Sequence, residues 1–219
     1  MKGMGLKGKE VLLVVGSLAV IAGAGYWIYY REFKQPKHNV ILHRKIGEVM
    51  AEQTAKAVGK KGRLVLVTIP TRPEPELATQ LEAFKQTLKR LGDYDLRENE
   101  LDTKDQPKYG LGSGLSGRRF VRTVNNNKSA DGIVSFVGAP KLSDAEISEL
   151  KKVPKFIAES RSPEYLPRLF EKQLIHAAVV SRFSFPAPGP VEPKTPEEWF
   201  NKRYQVLTAE VAGTIPRGE

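Results

Sequence analysis

The residues with the clearest chemical potential are basic and hydroxyl-bearing side chains that follow short apolar segments. Two such segments, 63–69 and 154–159, have the length and composition of strands buried in a parallel sheet. Open parallel sheets bind ligands beyond the carboxyl ends of their strands. Guanidinium, ammonium and hydroxyl groups at that edge suit a phosphate or a carboxylate. The candidate ligand-binding residues are Thr71, Arg72, Arg118, Lys141, Ser160 and Arg161.

Residues for catalysis, metal binding or a cofactor are sparse. The chain has no Cys and three His, which excludes thiol nucleophiles, iron–sulfur clusters and Cys-bound zinc. His176 lies in an apolar run, where a core histidine is the simpler interpretation. We therefore predict no catalytic residue, no metal and no cofactor. The alternative is a small membrane-anchored hydrolase or transferase that uses the basic residues around Arg72 and Arg118.

One glycine-rich segment, 112–117, formally matches the G-x-G-x-x-G pattern of dinucleotide-binding folds. That fingerprint requires the glycines directly after a strand, whereas a stretch containing Pro107 separates them from Leu101. No Walker lysine follows the segment either. The pattern is therefore interpreted as a surface loop.

Strands and helices that alternate along the chain must position the candidate residues. Apolar or alternating runs predict strands at 63–69, 94–101, 132–138, 154–159 and 175–180. Apolar residues at a 3.6-residue period predict helices at 39–58, 76–91 and 163–173. Strands separated by helices pair in parallel through right-handed crossovers. The sequence therefore predicts an α/β fold, a three-layer sandwich with a mostly parallel sheet.

The C-terminal part combines a proline-rich stretch, 183–196, with one further helix. The prolines predict an extended linker. Thr195 is placed to cap the helix, with Pro196 at its first position and Glu198 at its third. Its apolar face, which we expect to dock on the sheet, consists of Trp199, Phe200, Tyr204 and Leu207.

The run from residue 11 to residue 30 carries no charge and is long enough to cross the hydrocarbon core of a bilayer. Aromatic residues cluster at its C-terminal end, as they do at headgroup boundaries, and Arg31 follows. The run therefore predicts a single transmembrane anchor. A cleaved signal peptide is the alternative, since Ala22-Gly23-Ala24 matches the A-x-A cleavage pattern.

Two features of the sequence favour opposite orientations of the domain across the membrane. Lys and Arg are more numerous after the span than before it, which favours a cytoplasmic domain. A single N-terminal span before a globular domain commonly acts as an uncleaved signal-anchor, which favours translocation. We expect a single-pass membrane protein with an extracytoplasmic domain, with the cytoplasmic orientation as the alternative.

The formal net charge of +10 is unevenly distributed, because residues 1–37 hold six basic and two acidic residues and so carry +4 of it. The rest of the chain carries the remaining +6 and contains no RNP motif, zinc finger or basic helix, so nucleic acid is not a predicted partner. The predicted segments are a basic tail (1–10), the transmembrane anchor (11–30), a juxtamembrane basic segment and helix (31–61), the α/β domain (62–182), the proline-rich linker (183–196) and a C-terminal helix and tail (197–219).

Two strand sequences resemble those of a known family. Ala130-Asp131-Gly132-Ile133-Val134 is followed one helix later by Val153-Pro154-Lys155-Phe156-Ile157-Ala158. Over residues 62–182 this order resembles one lobe of a type-1 periplasmic binding protein, an ABC-type substrate-binding protein with a flavodoxin-like α/β fold. The resemblance implies a ligand-binding lobe. Since the family's cleft needs two lobes and this chain has room for one, binding in that manner requires a partner chain.

Together these observations predict a membrane-anchored α/β domain that acts by binding, as a scaffold or a sensor in an envelope complex. Its candidate ligand is an anionic small molecule. Its expected partners are the membrane, crossed once, and either another protein or a second copy of the chain.

Overall fold

The computed structural model describes residues 8–30, 38–72, 74–102, 114–161, 163–182 and 193–212. The chain divides into two compact units, residues 1–39 and residues 40–219. The first unit contains one long helix, and the second contains a sheet with flanking helices.

Helix α1, Gly8–Tyr29, belongs to the first unit. Its stretch Val11–Tyr29 has 19 residues, a mean hydropathy of 2.1 and exposed side chains throughout. Tyr26 and Tyr30 stack at its C-terminal end, with ring centroids 6.4 Å apart. Length and composition make α1 able to cross a membrane, and a signal sequence has the same properties.

The second unit alternates helices and strands around one sheet. In chain order the elements are α2 (Val40–Val58), β1 (Lys61–Thr68), α3 (Pro75–Leu91), β2 (Asp93–Glu100), α4 (Gly117–Asn126), β3 (Gly132–Ser135), α5 (Asp144–Ser148), β4 (Lys155–Ser160), α6 (Leu166–Glu171), β5 (Ala177–Ser181), α7 (Pro196–Arg203), β6 (Tyr204–Leu207) and α8 (Ala209–Ala212). The strand order is β2-β1-β3-β4-β5-β6. All neighbouring strands pair in parallel except β6, which runs antiparallel to β5. The predicted α/β fold with a mostly parallel sheet is confirmed.

The direction of the chain explains why helices cover both faces of the sheet. The connection from β1 to β2 moves one way, and the connection from β2 to β3 returns past β1. Because such crossovers are right-handed, α3 and α4 lie on opposite faces. Helices α2, α3 and α7 pack together on one face, and α4 contacts α5 on the other.

Each face of the sheet has an aromatic pair in its core. Phe84 of α3 meets Phe136 edge to face, with ring centroids 5.3 Å apart. On the other face Phe120 of α4 meets Phe156 of β4 at 4.9 Å. All four rings are fully buried, which fixes how both helices sit against the strands.

Helix α2 packs closely against α3 and belongs to the same unit as the sheet, although the sequence predicts a domain boundary at residue 62. Ile46 and Met50 of α2 are fully buried. Gly47 lies where the two helices approach each other, and a β-carbon there would overlap the carbonyl oxygen of Gln80. Because glycine has no side chain, Gly47 allows α2 and α3 to pack at this short distance.

The C-terminal helix begins as predicted but ends earlier. Thr195 and Glu198 form the predicted capping box, and α7 packs on α2 with Phe200 buried. The expected apolar face that reaches Tyr204 and Leu207 is wrong for those two residues, because α7 ends at Arg203. They belong to β6, which pairs with the otherwise open edge of β5 and buries both side chains there.

Candidate functional site

The parallel strands β1, β3, β4 and β5 end at one edge of the sheet, named here the carboxyl edge. The order of the strands along the chain reverses between β1 and β3. Open α/β sheets bind ligands outside the carboxyl ends of the strands beside such a reversal. Polar side chains that lie at this edge are therefore the first candidates for a binding site.

Glu159 is a carboxyl group buried in β4 next to the carboxyl edge, with 2% of its surface exposed. Side chains alternate along a strand, so Glu159 lies on the opposite face from Phe156, on the side that α2 covers. Burial raises the pKa of Glu159 to about 7, while the charge of Arg161 lowers it and that of Glu76 raises it. Near neutral pH this carboxyl group both donates and accepts hydrogen bonds.

Arg161 follows β4 and extends to Glu76 in the first turn of α3. The distance between Arg161 Nη2 and Glu76 Oε2 is 4.0 Å, and both side chains are partly exposed. Exposed ion pairs contribute only about 0–1 kcal/mol to stability, so this pair is easily rearranged. The guanidinium group therefore remains available to a ligand at the carboxyl edge.

His43 of α2 and Gln80 of α3 form the buried part of the same group of side chains. Gln80 Nε2 lies 3.0 Å from His43 Nδ1, within hydrogen-bond distance, and His43 Nε2 lies 3.9 Å from Glu76 Oε2. Among the described residues, the buried Gln80 Oε1 has no hydrogen-bond partner. We name this group the carboxyl-edge cluster, which consists of His43, Glu76, Gln80, Glu159 and Arg161.

Tyr204, at the start of β6, is buried next to the carboxyl-edge cluster. Its ring stacks on Phe200 with centroids 6.0 Å apart. Burial raises the pKa of the Tyr204 hydroxyl, and the negative charge of Glu159 raises it further. The phenol is therefore neutral at physiological pH.

Four of the predicted site residues lie at the ends of β1 and β4. Ser160 is buried as the last residue of β4, and Arg161 follows it. Thr71 and Arg72 are exposed in the turn after β1, where the Thr71 carbonyl accepts a hydrogen bond from the Glu74 N–H at 3.0 Å. The structure links Arg161 to α3, while the Arg72 side chain lies open to solvent.

Arg118 is exposed in the first turn of α4, next to a carboxylate from the same unit. Ser116 caps this helix, and the Glu146 carboxylate accepts a hydrogen bond from the Arg118 backbone. Hydrogen bonds from Ser143 lower the pKa of Glu146, and the charge of Arg118 lowers it further. Glu146 thus occupies the N-terminus of α4, where an external anion would otherwise bind. The first glycine of the 112–117 pattern, Gly112, lies outside the described residues, whereas Gly114 and Gly117 lie within them.

Lys141 is exposed and contacts Tyr165, with Nζ 3.2 Å from the phenol oxygen and 4.6 Å from the ring centroid. The two residues line a groove of about 340 Å³ together with Glu164 and Arg168. Arg168 is paired with Asp144. Three of the four predicted cations, Arg118, Lys141 and Arg161, therefore have acidic or aromatic neighbours, and the carboxyl edge is mixed in charge rather than uniformly basic.

The structure also bears on metal binding and on His176. Among the residues that the structure describes, no group of three His, Asp or Glu side chains is arranged to hold a metal ion. His176 Nδ1 lies 3.3 Å from the Phe156 N–H, which donates to it. Burial lowers the pKa of His176, and the charge of Lys155 lowers it further. Its role is consistent with the core interpretation.

Sequence reasoning missed most of the carboxyl-edge cluster. Glu159 had a detectable signal, since a carboxylate within the apolar run Phe156-Ile157-Ala158 is unusual for a buried strand. Gln80 and His43 had none, because polar residues in amphipathic helices usually face solvent. Their burial depends on the close approach of α2 and α3, which only the structure shows.

Comparisons with solved structures place this fold among solute-binding proteins. AraP, an arabinose binding protein from Geobacillus stearothermophilus, matches at a TM-score of 0.52 with 13% identity over 80% of this chain and 63% of its own. A periplasmic solute binding protein of an ABC transporter from Actinobacillus succinogenes 130z, with bound D-allose, matches at 0.50 with 10% identity over 80% and 61%. The predicted resemblance to a type-1 periplasmic binding protein is confirmed at the level of the fold.

This chain spans about three fifths of the length of these two proteins, 63% and 61%. No protein-family model and no curated protein sequence matches it. The likeness therefore concerns the architecture of the domain.

Proposed function

We propose that the domain formed by the second unit binds a small polar solute at the carboxyl edge without converting it, and that α1 attaches it to a membrane. The observation that carries this proposal is the carboxyl-edge cluster, which combines a buried carboxyl group, a partly exposed arginine and a free amide oxygen. It lies at the edge where open α/β sheets bind ligands.

The chemistry of the cluster favours a solute with several hydroxyl groups. Glu159 and Gln80 supply hydrogen-bond acceptors, and Arg161 supplies a fork of donors. A hydroxyl group donates and accepts at once, so it satisfies both kinds of partner. The structural neighbours named for arabinose and for bound D-allose have ligands of this class, which supports a monosaccharide as the first candidate.

The predicted anion site suggests a narrower class of solute, one that carries an acidic group beside its hydroxyl groups. Thr71, Arg72, Arg118, Lys141 and Ser160 lie around the same strand ends as Arg161. Glu76 and Glu146 offset the charge of Arg161 and Arg118, so a simple anion gains less here than the sequence suggests. A sugar acid would place its carboxylate near Arg72 and its hydroxyls on the cluster.

A second lobe is needed to enclose a solute in the manner of the structural neighbours. The described second unit has one sheet, and a solute at its carboxyl edge would remain open on one side. We propose that another protein or a second copy of this chain covers that side. The fold of extracytoplasmic solute-binding proteins supports placing the domain outside the cytoplasm, within an envelope complex.

One observation favours a catalytic alternative. Glu159 has a pKa of about 7, the range in which a carboxyl group works as a general acid or base. A hydrolase or transferase at the same edge would use Glu159 for proton transfer and would convert the solute. The two functions differ in whether the solute is recovered unchanged.

Thermal unfolding of the full chain with a panel of solutes tests the proposal. The chain is kept in a non-ionic polyoxyethylene detergent, which contains no sugar. D-arabinose, D-allose, galacturonate or sodium chloride is added to separate samples at matched ionic strength. We expect a sugar or sugar acid to raise the melting temperature, and Arg161→Gln but not the control Arg44→Gln to remove the shift. Absence of any shift would contradict solute binding, and conversion of the solute by the wild type but not by Glu159→Gln would establish the catalytic alternative.

A further inference from the structure

A cleft between α4 and the edge strand β2 is lined largely by basic and amide side chains. Its volume is about 160 Å³, and it lies on the edge strand, away from β4 and its carboxyl-edge cluster. We name it the arginine cleft, which is lined by Arg97, Glu98, Asn99, Arg119, Arg122, Thr123, Asn126 and Asn127.

The arginines reach the cleft from two sides. Arg119 and Arg122 are three residues apart on α4, so their side chains project from neighbouring positions on one helix face. Arg97 comes from β2, the opposite wall. Three arginines from two elements thus line one small cavity.

Among the described residues that line the arginine cleft, the one acidic residue, Glu98, forms an ion pair with Lys85. Lys85 Nζ on α3 lies 2.6 Å from Glu98 Oε1, and α3 packs on the opposite face of the sheet from α4. Because residues alternate along a strand, Arg97 and Asn99 lie on the α4 face. The Glu98 carboxylate is therefore directed away from Arg97.

Two of the three arginines have no ion-pair partner among the residues that the structure describes. Within the described residues, neither Arg97 nor Arg122 forms an ion pair or a side-chain hydrogen bond. Elsewhere in the same unit Arg161 lies near Glu76, and Arg168 is paired with Asp144. Like charges placed around one cavity repel each other, and an external anion removes that repulsion.

We propose that the arginine cleft binds one phosphate group. Arginine forks bind phosphate oxygens through paired, charge-assisted hydrogen bonds, and the Asn126 amide adds a neutral donor. The volume of about 160 Å³ accommodates a single tetrahedral oxyanion with its nearest waters, so any larger part of a phosphorylated ligand lies outside. Bound phosphate would tie the edge strand β2 to α4.

Binding to the full chain in polyoxyethylene detergent tests this proposal and identifies the source of the phosphate. The probes are inorganic phosphate, glycerol 3-phosphate and a short-chain phosphatidate in mixed micelles, each compared with chloride at equal ionic strength. We expect at least one probe to bind, and Arg97→Gln with Arg122→Gln to weaken that binding about tenfold or more. Both residues are exposed, so the double variant retains the fold, and its unchanged melting temperature without phosphate verifies this.

Arg44→Gln is the matched control, because Arg44 is an exposed arginine on α2, outside the arginine cleft. It should leave phosphate binding within about twofold of the wild-type value. The proposed phosphate site is overturned if no probe binds better than chloride, or if the double variant binds the probe as well as the Arg44→Gln control does. Because the residues are different, either result leaves the solute site at the carboxyl edge untouched, and failure of the sugar panel leaves the arginine cleft untouched.

Discussion

A carboxyl group that is buried without a salt bridge is costly in its ionised form, and Glu159 forms none with the residues that the structure describes. Its pKa of about 7 means that the folded protein favours the neutral, protonated carboxyl group over the ionised carboxylate. A bound solute whose hydroxyls donate to the ionised carboxylate would offset that cost. Residues of this kind are retained at binding sites more readily than in ordinary cores.

Glu159 also predicts how stability depends on pH. Its pKa rises from an ordinary 4.5 to about 7 on folding, so the folded chain holds a proton that the unfolded chain has lost. The free energy of unfolding should therefore fall as pH rises from about 4.5 to about 7, by about 3 kcal/mol from this residue, and then level off. Urea unfolding of the full chain at pH 4.5, 6 and 8, followed by circular dichroism, measures this fall.

A comparison of two variants shows whether this pH dependence of stability comes from Glu159. Glu159→Gln should unfold at a higher urea concentration than the wild type at pH 8 and should lose the fall between pH 4.5 and 7. The exposed Glu164→Gln should keep it. Equal pH dependence in both variants would show that Glu159 is ionised in the folded protein at neutral pH.

At the level of elements, the pairing of α2 with α3 brings the carboxyl-edge cluster together. His43 and Gln80 meet because Gly47 lets the helix backbones approach closely. A wider separation would break that hydrogen bond and expose the polar groups beneath it. The geometry of the site thus depends on a residue that bears no functional group.

Gly47→Ala tests this dependence. The added β-carbon would overlap the Gln80 carbonyl oxygen, so α2 must shift, and we expect a loss of about 1–3 kcal/mol in the free energy of unfolding. Glu52→Ala, an exposed change on the same helix, should cost under about 0.5 kcal/mol. Urea unfolding at pH 7 compares the two, and a neutral Gly47→Ala would mean that the helices are more widely spaced.

The elements themselves were largely predictable from sequence, because local chemistry determines them. Apolar runs identified β1 and β3, a 3.6-residue period identified α3, and the capping box of Thr195 and Glu198 formed as predicted. Strand β6 was not predictable, because four residues after a helix become a strand only when an open edge such as β5 is available. For the same reason Glu159 could be recognised as unusual, whereas its partners on α2 and α3 could not.

On the scale of the whole molecule, the N-terminal helix and the domain differ in where their apolar side chains lie. The stretch Val11–Tyr29 is apolar on all sides, which suits lipid, while the second unit buries its apolar residues in its own core. This division supports a tethered binding domain.

Membrane attachment by α1 predicts resistance to extraction. The full chain should remain in the membrane pellet after alkaline carbonate washing, because an uncharged span of this length would be buried in hydrocarbon. Replacement of Val15 and Leu18 by Lys should release it, since each central charge costs about 2.5–3.5 kcal/mol. Recovery of a mature chain that begins at Gly25 would instead establish a cleaved signal peptide.

The central claim is that a small polar solute binds at the carboxyl edge, and amide hydrogen exchange tests its position most directly. The full chain is exchanged with and without the panel solute that raises its melting temperature. We predict slower exchange in peptides that cover 68–72 and 159–161, with unchanged exchange at the opposite edge in 208–212. Protection confined to 208–212, or no protection by any solute of the panel, would contradict the claim.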